Sequence, residues 1–293
     1  MSLLDVKNLT KRYRRDLAVD HLSFSLQQHT ATALIGPNGA GKTTALSMLA
    51  GLLKPTTGSI TWDHTTGVGF LPQHPRFFPW LTALEFTEMA AKLSGVEAKK
   101  VRQQATRTLE FVGLAPALNK KTGTFSGGMK QRLGLAQAIV HQPELLLLDE
   151  PVSALDPAGR REIMNLLKSL QQDTTILYST HILNDAEEMT DQLLFLQQGK
   201  LVEKGSLEEV KERYAEPRIR IHFQTAEDAG GFSRHMPWEA VQNGNRIDVA
   251  VTAKGPGMQE ILTALTAAGD KVVGVERQTA SLEDIFMKVA GGR

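Results

Sequence analysis

The most constraining feature of this chain is the stretch Gly36-Pro37-Asn38-Gly39-Ala40-Gly41-Lys42-Thr43, which fits the pattern G-x-x-x-x-G-K-[ST]. It follows the apolar run Ala31–Ile35 and precedes a helical pattern that starts at Thr44. A glycine-rich loop between a strand and a helix binds phosphate, because its backbone N–H groups and the helix N-terminus face one point. Lys42 adds a positive charge for the outer phosphates, and the Thr43 hydroxyl suits Mg²⁺. This phosphate loop predicts nucleotide binding, but it leaves open what the nucleotide's energy is used for.

The composition excludes several classes of protein. A chain of 293 residues can hold one large domain and a small one. The net charge of +1 creates no overall field for nucleic acid, so we expect no nucleic-acid partner. The absence of cysteine excludes disulfides and thiolate metal sites, and it fits a reducing compartment. We expect neither a signal peptide nor a membrane span, so any membrane role requires a partner protein.

Strands and helices alternate through most of the first 215 residues. The run Glu144–Glu150 is apolar until its two terminal acids, which is typical of a central parallel strand. Its predicted neighbours are strands at 174–179 and 192–196 and helices at 157–172 and 182–189. Short alternating strands are predicted earlier, at 3–8 and 18–26, and a helical tract at 82–118. This order indicates a doubly wound mixed sheet with an antiparallel β subdomain and a helical subdomain at about 80–141.

A second, smaller domain is predicted after Pro217. Apolar residues alternate along 219–223, Asn243-Gly244 is a strong hairpin signal, and Met258–Ala268 has a helical period. With a helix near 226–234 the order would be β-α-β-β-α-β, the ferredoxin-like pattern, although Gly230-Gly231 argues against that helix. A capped final helix follows Ser281. We therefore predict one domain at 1–215 and a small α+β domain at 216–293.

The acids Asp149 and Glu150 are candidate catalytic groups. The carboxyl ends of strands in an open α/β sheet meet the crevice where ligands bind, and the phosphate loop follows another strand of the same sheet. Neighbouring strand residues point in opposite directions. We therefore assign Asp149 to Mg²⁺ and Glu150 to orienting and deprotonating a water molecule. Acids that merely solubilise a strand end are the alternative.

A second glycine-rich helix entry occurs at Phe125-Ser126-Gly127-Gly128-Met129-Lys130-Gln131. Ser126 stands where a helix cap belongs, so the chain has two helix N-termini suited to anions. Taken alone, this stretch is better described as a well-capped helix than as a ligand site.

Together these motifs resemble the ATP-binding subunits of ABC transporters over about residues 1–215. The family's motifs occur in the family's order: the phosphate loop, Gln73 after a strand, the signature run Ser126–Gln131, the acid strand 145–150, Ser153-Ala154-Leu155-Asp156 and Ser179-Thr180-His181. Phe125 stands where the family usually has leucine, and it keeps the apolar bulk. The resemblance implies the P-loop NTPase fold of an ABC cassette, ATP and Mg²⁺ as ligands, and ATP hydrolysis.

The resemblance also implies roles for individual residues. Gln73 would contact Mg²⁺ and the attacking water and relay to the transporter partner, and His181 would grip the γ-phosphate beside Glu150. Ser126 and Gly128 would bind the γ-phosphate held by the opposite subunit, and Asp156 would cross the dimer interface. Tyr13 would stack on adenine, although its basic flanks also suit an ordinary surface residue. The implied nucleotide-binding set is Tyr13, Gly36, Pro37, Asn38, Gly39, Ala40, Gly41, Lys42, Thr43, Thr44, Ser126, Gly127, Gly128 and Asp156.

The implied partners are a second ATP-binding subunit and a separate transmembrane permease, which would hold the chain at the cytoplasmic face of the membrane. The aromatic run at 77–81 is either part of the permease-docking surface or core of the helical subdomain. The tail at 278–286 resembles that of ATPases serving ABC-2-type exporters, although the small domain equally suits a regulatory or dimer-bracing role. A non-transport ABC ATPase or a regulatory ATPase acting on another macromolecule is the alternative function.

Overall fold

The computed structural model describes the chain at residues 2–62, 67–153, 155–214, 218–251, 256–268, 271–278 and 281–291. It divides into two units, Met1–Leu207 and Glu208–Arg293. The predicted boundary at Pro217 and the predicted motif residue Ala154 lie outside the described residues.

Apolar strands form the central sheet of the first unit. The strands of this unit are β1 Ser2–Tyr13, β2 Asp16–Gln27, β3 Ala31–Ile35, β4 Thr57–Trp62, β5 Val68–Leu71, β6 Leu145–Asp149, β7 Thr175–Thr180, β8 Gln192–Gln197 and β9 Lys200–Ser206. The central sheet has the order β5-β6-β7-β3-β8-β9, with parallel neighbours except for the antiparallel pair β8–β9. Every residue of β3, β6 and β7 is buried, as expected for parallel strands covered on both faces.

The strand order brings the predicted motifs to one edge of the sheet. β7 lies between β6 and β3, and all three strands run in the same direction. Their carboxyl ends therefore lie side by side. The phosphate loop follows β3, Glu150 follows β6, and His181 follows β7.

A smaller antiparallel sheet has the order β2-β1-β4. Its β1–β2 hairpin extends to the pair Tyr13–Asp16, so both strands are longer than the predicted 3–8 and 18–26. The basic residues at 11–15, which separate the two predicted strands, lie within this hairpin. In the structure they belong to the solvent-facing end of the hairpin, where charged side chains remain hydrated.

Helices with defined ends connect the strands of this fold. Those of the first unit are α1 Lys42–Leu49, α2 Ala83–Leu93, α3 Val101–Phe111, α4 Gly127–Ile139, α5 Pro157–Leu170 and α6 Leu183–Met189. Thr82 and Glu85 form a capping box at the start of α2, and Gly113 at φ 77° follows the end of α3. None of the helices in the described ranges is long and apolar enough to span a membrane.

The second unit is built on an antiparallel sheet with the order β11-β12-β10-β13. Its elements, with the helix at its start, are α7 Leu207–Arg213, β10 Arg218–Phe223, α8 Ala226–His235, β11 Ala240–Asn243, β12 Arg246–Ala250, α9 Met258–Ala268, β13 Val272–Gln278 and α10 Leu282–Gly291. Alternate residues of β10 enter a core with Phe232 and Ile261. On the other face of β10, Arg220 forms a two-bond ion pair with Asp248, with N···O distances of 2.6 and 2.8 Å. From β10 to β13 the elements run β-α-β-β-α-β.

Candidate functional site

The backbone of the phosphate loop requires glycine at two of its positions. Gly41 precedes α1 at φ 102°, and a Cβ atom there would lie 2.4 Å from the carbonyl oxygen of Ala18. A Cβ atom at Gly36 would lie 2.3 Å from the carbonyl oxygen of Leu196. Strands β2 and β8 therefore approach the loop so closely that only glycine fits at these two places.

Lys42 is buried at the start of α1. Its Nζ donates hydrogen bonds to the carbonyl oxygens of Gly36 at 2.7 Å and Pro37 at 3.2 Å. Burial lowers the pKa of Lys42, while the negative charges of Glu150 and Asp149 act in the opposite direction. The ammonium group thus lies inside the loop, where it can exchange backbone carbonyls for phosphate oxygens.

Glu150 is the point at which three sequence motifs meet. One of its carboxylate oxygens lies 3.2 Å from His181 Nδ1 and 3.7 Å from Lys42 Nζ. The other accepts a hydrogen bond of 3.1 Å from Gln73 Nε2. The Glu150 residue is only 8 % exposed, so these three groups hold its carboxylate in one place.

A cavity of about 550 Å³ lies between these groups and the phosphate loop. The predicted residues that line it are Asn38, Gly39, Ala40, Gly41, Lys42, Thr43, Thr44, Gln73, Glu150 and His181. Ala18 and Ser153 complete the lining. The cavity therefore joins a phosphate-binding loop to a carboxylate that can take a proton from water.

The donor set beside the cavity suits Mg²⁺. Thr43 offers a hydroxyl and Gln73 an amide oxygen at the cavity wall. The buried carboxylate of Asp149 lies at the end of β6, and its Oδ1 accepts a hydrogen bond of 2.6 Å from Ser179. Hydroxyl, amide and carboxylate oxygens are the ligands that this cation takes in proteins, commonly with water completing the shell.

Gly36 and Pro37 do not line the cavity, although their carbonyl oxygens accept hydrogen bonds from Lys42. The remaining predicted nucleotide-binding residues lie away from the cavity. Tyr13 is 45 % exposed, and Lys11 Nζ lies 5.1 Å from its ring centre. Ser126 caps α4, with its hydroxyl accepting a 3.3 Å hydrogen bond from the Met129 N–H. Asp156 caps α5 by accepting from the Gly159 N–H at 2.9 Å. Gly127 and Gly128 begin α4 and, like Ser126 and Asp156, do not line the cavity.

Sequence reasoning missed the roles of two residues that shape the site. Ser179 accepts a hydrogen bond of 2.8 Å from the Glu150 N–H while it donates to Asp149. Gln131 donates a hydrogen bond of 2.7 Å to the Pro151 carbonyl. Both residues stand inside recognised motifs, but their contacts join segments 20 to 30 positions apart in the sequence. No local pattern contains such a pairing.

The aromatic run at 77–81 divides between the core and the surface, and its predicted role in permease docking stays a prediction. Phe77 packs edge-on against the buried Phe86 of α2, with ring centres 5.1 Å apart. Phe78 and Trp80 are exposed at 44 % and 65 %. The run therefore contributes one ring to the α2 core and presents two to solvent.

Both units match known protein families. Residues 19–153 match the ABC transporter family, and residues 205–290 match the C-terminal domain of ATP-binding proteins like DrrA1-3. The ABC transporter ATP-binding protein YxlF of Bacillus subtilis (strain 168) is 40 % identical over 98 % of this chain and 99 % of its own length. The bacitracin transport ATP-binding protein BcrA of Bacillus licheniformis is 34 % identical over 99 % and 98 %. The linearmycin resistance ATP-binding protein LnrL of Bacillus subtilis is 29 % identical over 99 % and 98 %.

Solved structures agree with the predicted fold of the first unit. The dimeric bacterial ABC transporter cassette MJ0796 is 28 % identical, with a TM-score of 0.65 over 70 % of this chain and 98 % of that chain. The same cassette bound to ADP and Pi, in a dimeric post-hydrolysis state, gives the same values. The predicted cassette fold is thereby confirmed.

Proposed function

Because this chain belongs to the family of ABC transporter ATP-binding proteins, we propose that it uses ATP to drive a separate transmembrane permease of the ABC-2 export type. The chain is an ATPase of this family. The observation that carries the proposal is the convergence of Lys42, Gln73 and His181 on the carboxylate of Glu150. Each of the three comes from a different motif, and the cavity beside them opens on the phosphate loop.

In the proposed reaction, Glu150 accepts the proton of the attacking water. The water oxygen forms a bond to the γ-phosphorus, the bond from that phosphorus to the bridging oxygen breaks, and ADP and phosphate leave. Gln73 and His181 orient the carboxylate and the water, while Lys42 and the loop N–H groups hold the phosphate charge. Asp149, Thr43 and Gln73 are the residues that would hold Mg²⁺. When bound, that ion neutralises charge on the β- and γ-phosphates.

The exposed nucleotide-binding residues support a head-to-tail dimer. Ser126, Gly127 and Gly128 form a solvent-facing helix N-terminus. They do not line the cavity at the phosphate loop of their own subunit. A second subunit with ATP on its phosphate loop fits this surface, and the related cassette MJ0796 is dimeric. Asp156 and Tyr13 lie exposed as well, where they are able to meet the partner and the adenine ring.

The exposed aromatic side chains Phe78 and Trp80 support permease docking. They follow Gln73, which contacts the catalytic carboxylate, so movement of this segment would change the position of a group in the site. Large apolar side chains in an exposed cluster commonly mark a protein interface. We therefore place the permease contact at 73–80, which would keep the chain at the cytoplasmic face of the membrane.

The relatives support export as the direction of transport. BcrA is a bacitracin transport protein and LnrL a linearmycin resistance protein, and both align with this chain over almost its whole length. The C-terminal match to DrrA1-3-like proteins covers the second unit. We propose that the permease, and not this chain, recognises the cargo.

Replacing Glu150 by glutamine tests the proposed chemistry. Glu150→Gln keeps the shape of the side chain but cannot accept a proton, so turnover should fall by roughly 100-fold or more while ATP still binds. The variant should accumulate an ATP-bound dimer, measured by size-exclusion chromatography with and without ATP. Near-normal turnover would exclude Glu150 as the base.

Co-expression with membrane proteins tests the proposed transport role. The wild-type chain, purified from detergent-solubilised membranes, should retain a multispanning permease, and Trp80→Ala should lose it while keeping basal ATP hydrolysis. Retention of the permease by Trp80→Ala, or a chain that co-purifies with nucleic acid instead, would contradict the docking proposal.

A further inference from the structure

We propose that Gln131 is a positioning residue that orients Glu150 of its own subunit, so that the helix beginning at the signature residues also sets the catalytic base. The inference rests on the proposed roles of Glu150 and of the dimer. Its central observation is a buried hydrogen bond. Gln131 is 5 % exposed, and its Nε2 donates to the carbonyl oxygen of Pro151 at 2.7 Å. Pro151 follows Glu150 directly.

The backbone at Glu150 needs outside support. Glu150 has φ 49°, in the left-handed region that non-glycine residues rarely adopt, and it precedes a proline that restricts it further. Such a conformation is strained and persists only where its surroundings hold it. The direction of the Glu150 side chain depends on this conformation, since φ sets where the Cα–Cβ bond points.

Three groups hold the segment at both ends of Glu150. The Ser179 hydroxyl accepts from the Glu150 N–H at 2.8 Å. The Ser153 hydroxyl and N–H both donate to the Glu150 carbonyl, at 3.2 and 3.3 Å. Gln131 holds the next carbonyl, that of Pro151. Of these three, only Gln131 lies on α4, the helix whose N-terminus at Ser126–Gly128 is predicted to bind a phosphate.

Helix α4 connects that terminus to the base. Ser126 caps the helix, and Gln131 is its fifth residue, about 7.5 Å further along the axis at 1.5 Å per residue. A hydrogen-bonded helix transmits a shift of its N-terminus to a side chain one turn away. In the proposed dimer Ser126–Gly128 contact the ATP of the opposite site, so filling one site would align the base of the other.

The burial of the Gln131 amide makes the contact costly to lose. Without its donor, the Pro151 carbonyl is left with one hydrogen bond fewer in a buried position, and Glu150 loses one of its supports. The predicted consequence is a displaced carboxylate rather than a lost nucleotide site, because Gln131 does not line the cavity.

The test compares Gln131→Met with a matched control, Gln104→Met. Gln104 on α3 also donates through Nε2 to a backbone carbonyl, at 2.5 Å, but its acceptor is Val140 at the far end of α4 and not a residue of the Glu150 segment. Gln131→Met should lower kcat at least tenfold with KM for ATP and the affinity of the isolated subunit unchanged, since misplacing a catalytic group by about 1 Å is enough for such a loss. Gln104→Met should keep wild-type kcat.

A double variant separates positioning from a general structural defect. If Gln131 acts through Glu150, Gln131→Met should cause no further loss of the residual rate in a Glu150→Gln background, and the double variant should still form the ATP-dependent dimer. Equal effects of Gln131→Met and Gln104→Met, or an additive loss in the double variant, would overturn the inference. If Glu150→Gln itself turns over normally, the proposed function fails instead.

A second variant covers the case in which Gln131→Met does not fold. In Gln131→Glu the carboxyl group can donate to Pro151 only while it is protonated. Its kcat relative to wild type should therefore fall as the pH rises through the pKa of that carboxyl group. A ratio that stays constant with pH would contradict the role of the donated hydrogen bond.

Discussion

Two helices of the first unit begin at glycine-rich turns, and their surroundings differ. At the start of α1, Gly41 is pressed against Ala18, Lys42 is buried, and the cavity is closed on its far side by Glu150 and His181. At the start of α4, Ser126 and Gly127 are exposed, and no atom lies within 4 Å of a Cβ placed at Gly127. Both termini suit anions, but only the first is enclosed by its own subunit. This difference supports the proposal that α4 contributes to a site that a second subunit completes.

Replacing Gly41 and Gly127 by alanine should give the largest difference in nucleotide affinity between the two helix N-termini. Gly41→Ala places a Cβ atom 2.4 Å from the Ala18 carbonyl at a φ of 102°, so the loop must deform. Strain of 1–3 kcal/mol at the phosphate-binding backbone corresponds to a loss of roughly 10- to 100-fold in nucleotide affinity. Gly127→Ala fits the isolated subunit without a contact and should bind nucleotide as wild type does.

The measurement is titration of a fluorescent ATP analogue at a protein concentration that keeps the chain monomeric. Steady-state hydrolysis at high protein concentration then tests the dimer, where Gly127→Ala should lose activity. Equal loss of monomer affinity in both variants would remove the distinction between the two helix entries.

Lys42→Met should have the next largest effect. It removes the buried charge that faces the phosphates and should weaken nucleotide binding by roughly tenfold. Because burial lowers the pKa of Lys42 below 10.5, the folded chain holds this proton less tightly than the unfolded chain. The burial cost is complete at neutral pH and diminishes as the pH rises from the folded pKa toward 10.5.

The unfolding free energy of the wild type should therefore rise relative to that of Lys42→Met over that alkaline range. Chemical denaturation of the two nucleotide-free proteins at several pH values measures the difference. A difference that falls with pH has the wrong sign for a buried ammonium group and would contradict the description of the α1 terminus.

Ser126→Ala should have the smallest effect of these variants, and the effect should be a loss of folding stability. The loss of the cap on α4 should cost about 1 kcal/mol of unfolding free energy, with nucleotide affinity of the isolated subunit unchanged. Ser126→Asp is the matched control, because it keeps a capping oxygen and restores stability. Its negative charge would repel a partner's γ-phosphate, so its dimer-dependent hydrolysis should be low although its stability is restored. Normal hydrolysis by Ser126→Asp would argue that no phosphate approaches this helix.

Local patterns were sufficient for much of the secondary structure. The apolar run at 145–148 is completely buried in β6. The hairpin that Asn243-Gly244 predicts forms between β11 and β12, but its turn residues are Gly244, at φ 61°, and Asn245, because Asn243 pairs with Arg246 at the end of the ladder. Helix α8 forms although it contains Gly230 and Gly231. The capping box of Thr225 and Asp228 and the buried Phe232 stabilise it, which outweighs the low helix propensity of glycine.

Contacts between distant segments were beyond the reach of those patterns. The position of Gln73 against Glu150 joins residues 77 positions apart, and the aromatic run at 77–81 divides between the α2 core and solvent. The sequence shows which side chains can make such contacts. Which ones do so depends on the order of strands in the sheet, and many orders are compatible with the same alternation of strands and helices.

The sequence by itself determined the chemistry of this protein: a phosphate loop, two acids at a strand end, and a second glycine-rich helix entry. These follow from local backbone requirements and from the donors and acceptors that a nucleotide needs. The tertiary structure decided that Lys42, Gln73 and His181 share one carboxylate, and that Gln131 holds the backbone beside it. Such distances are set by the packing of parallel strands and of α4 against them, a long-range property that no segment of the chain contains alone.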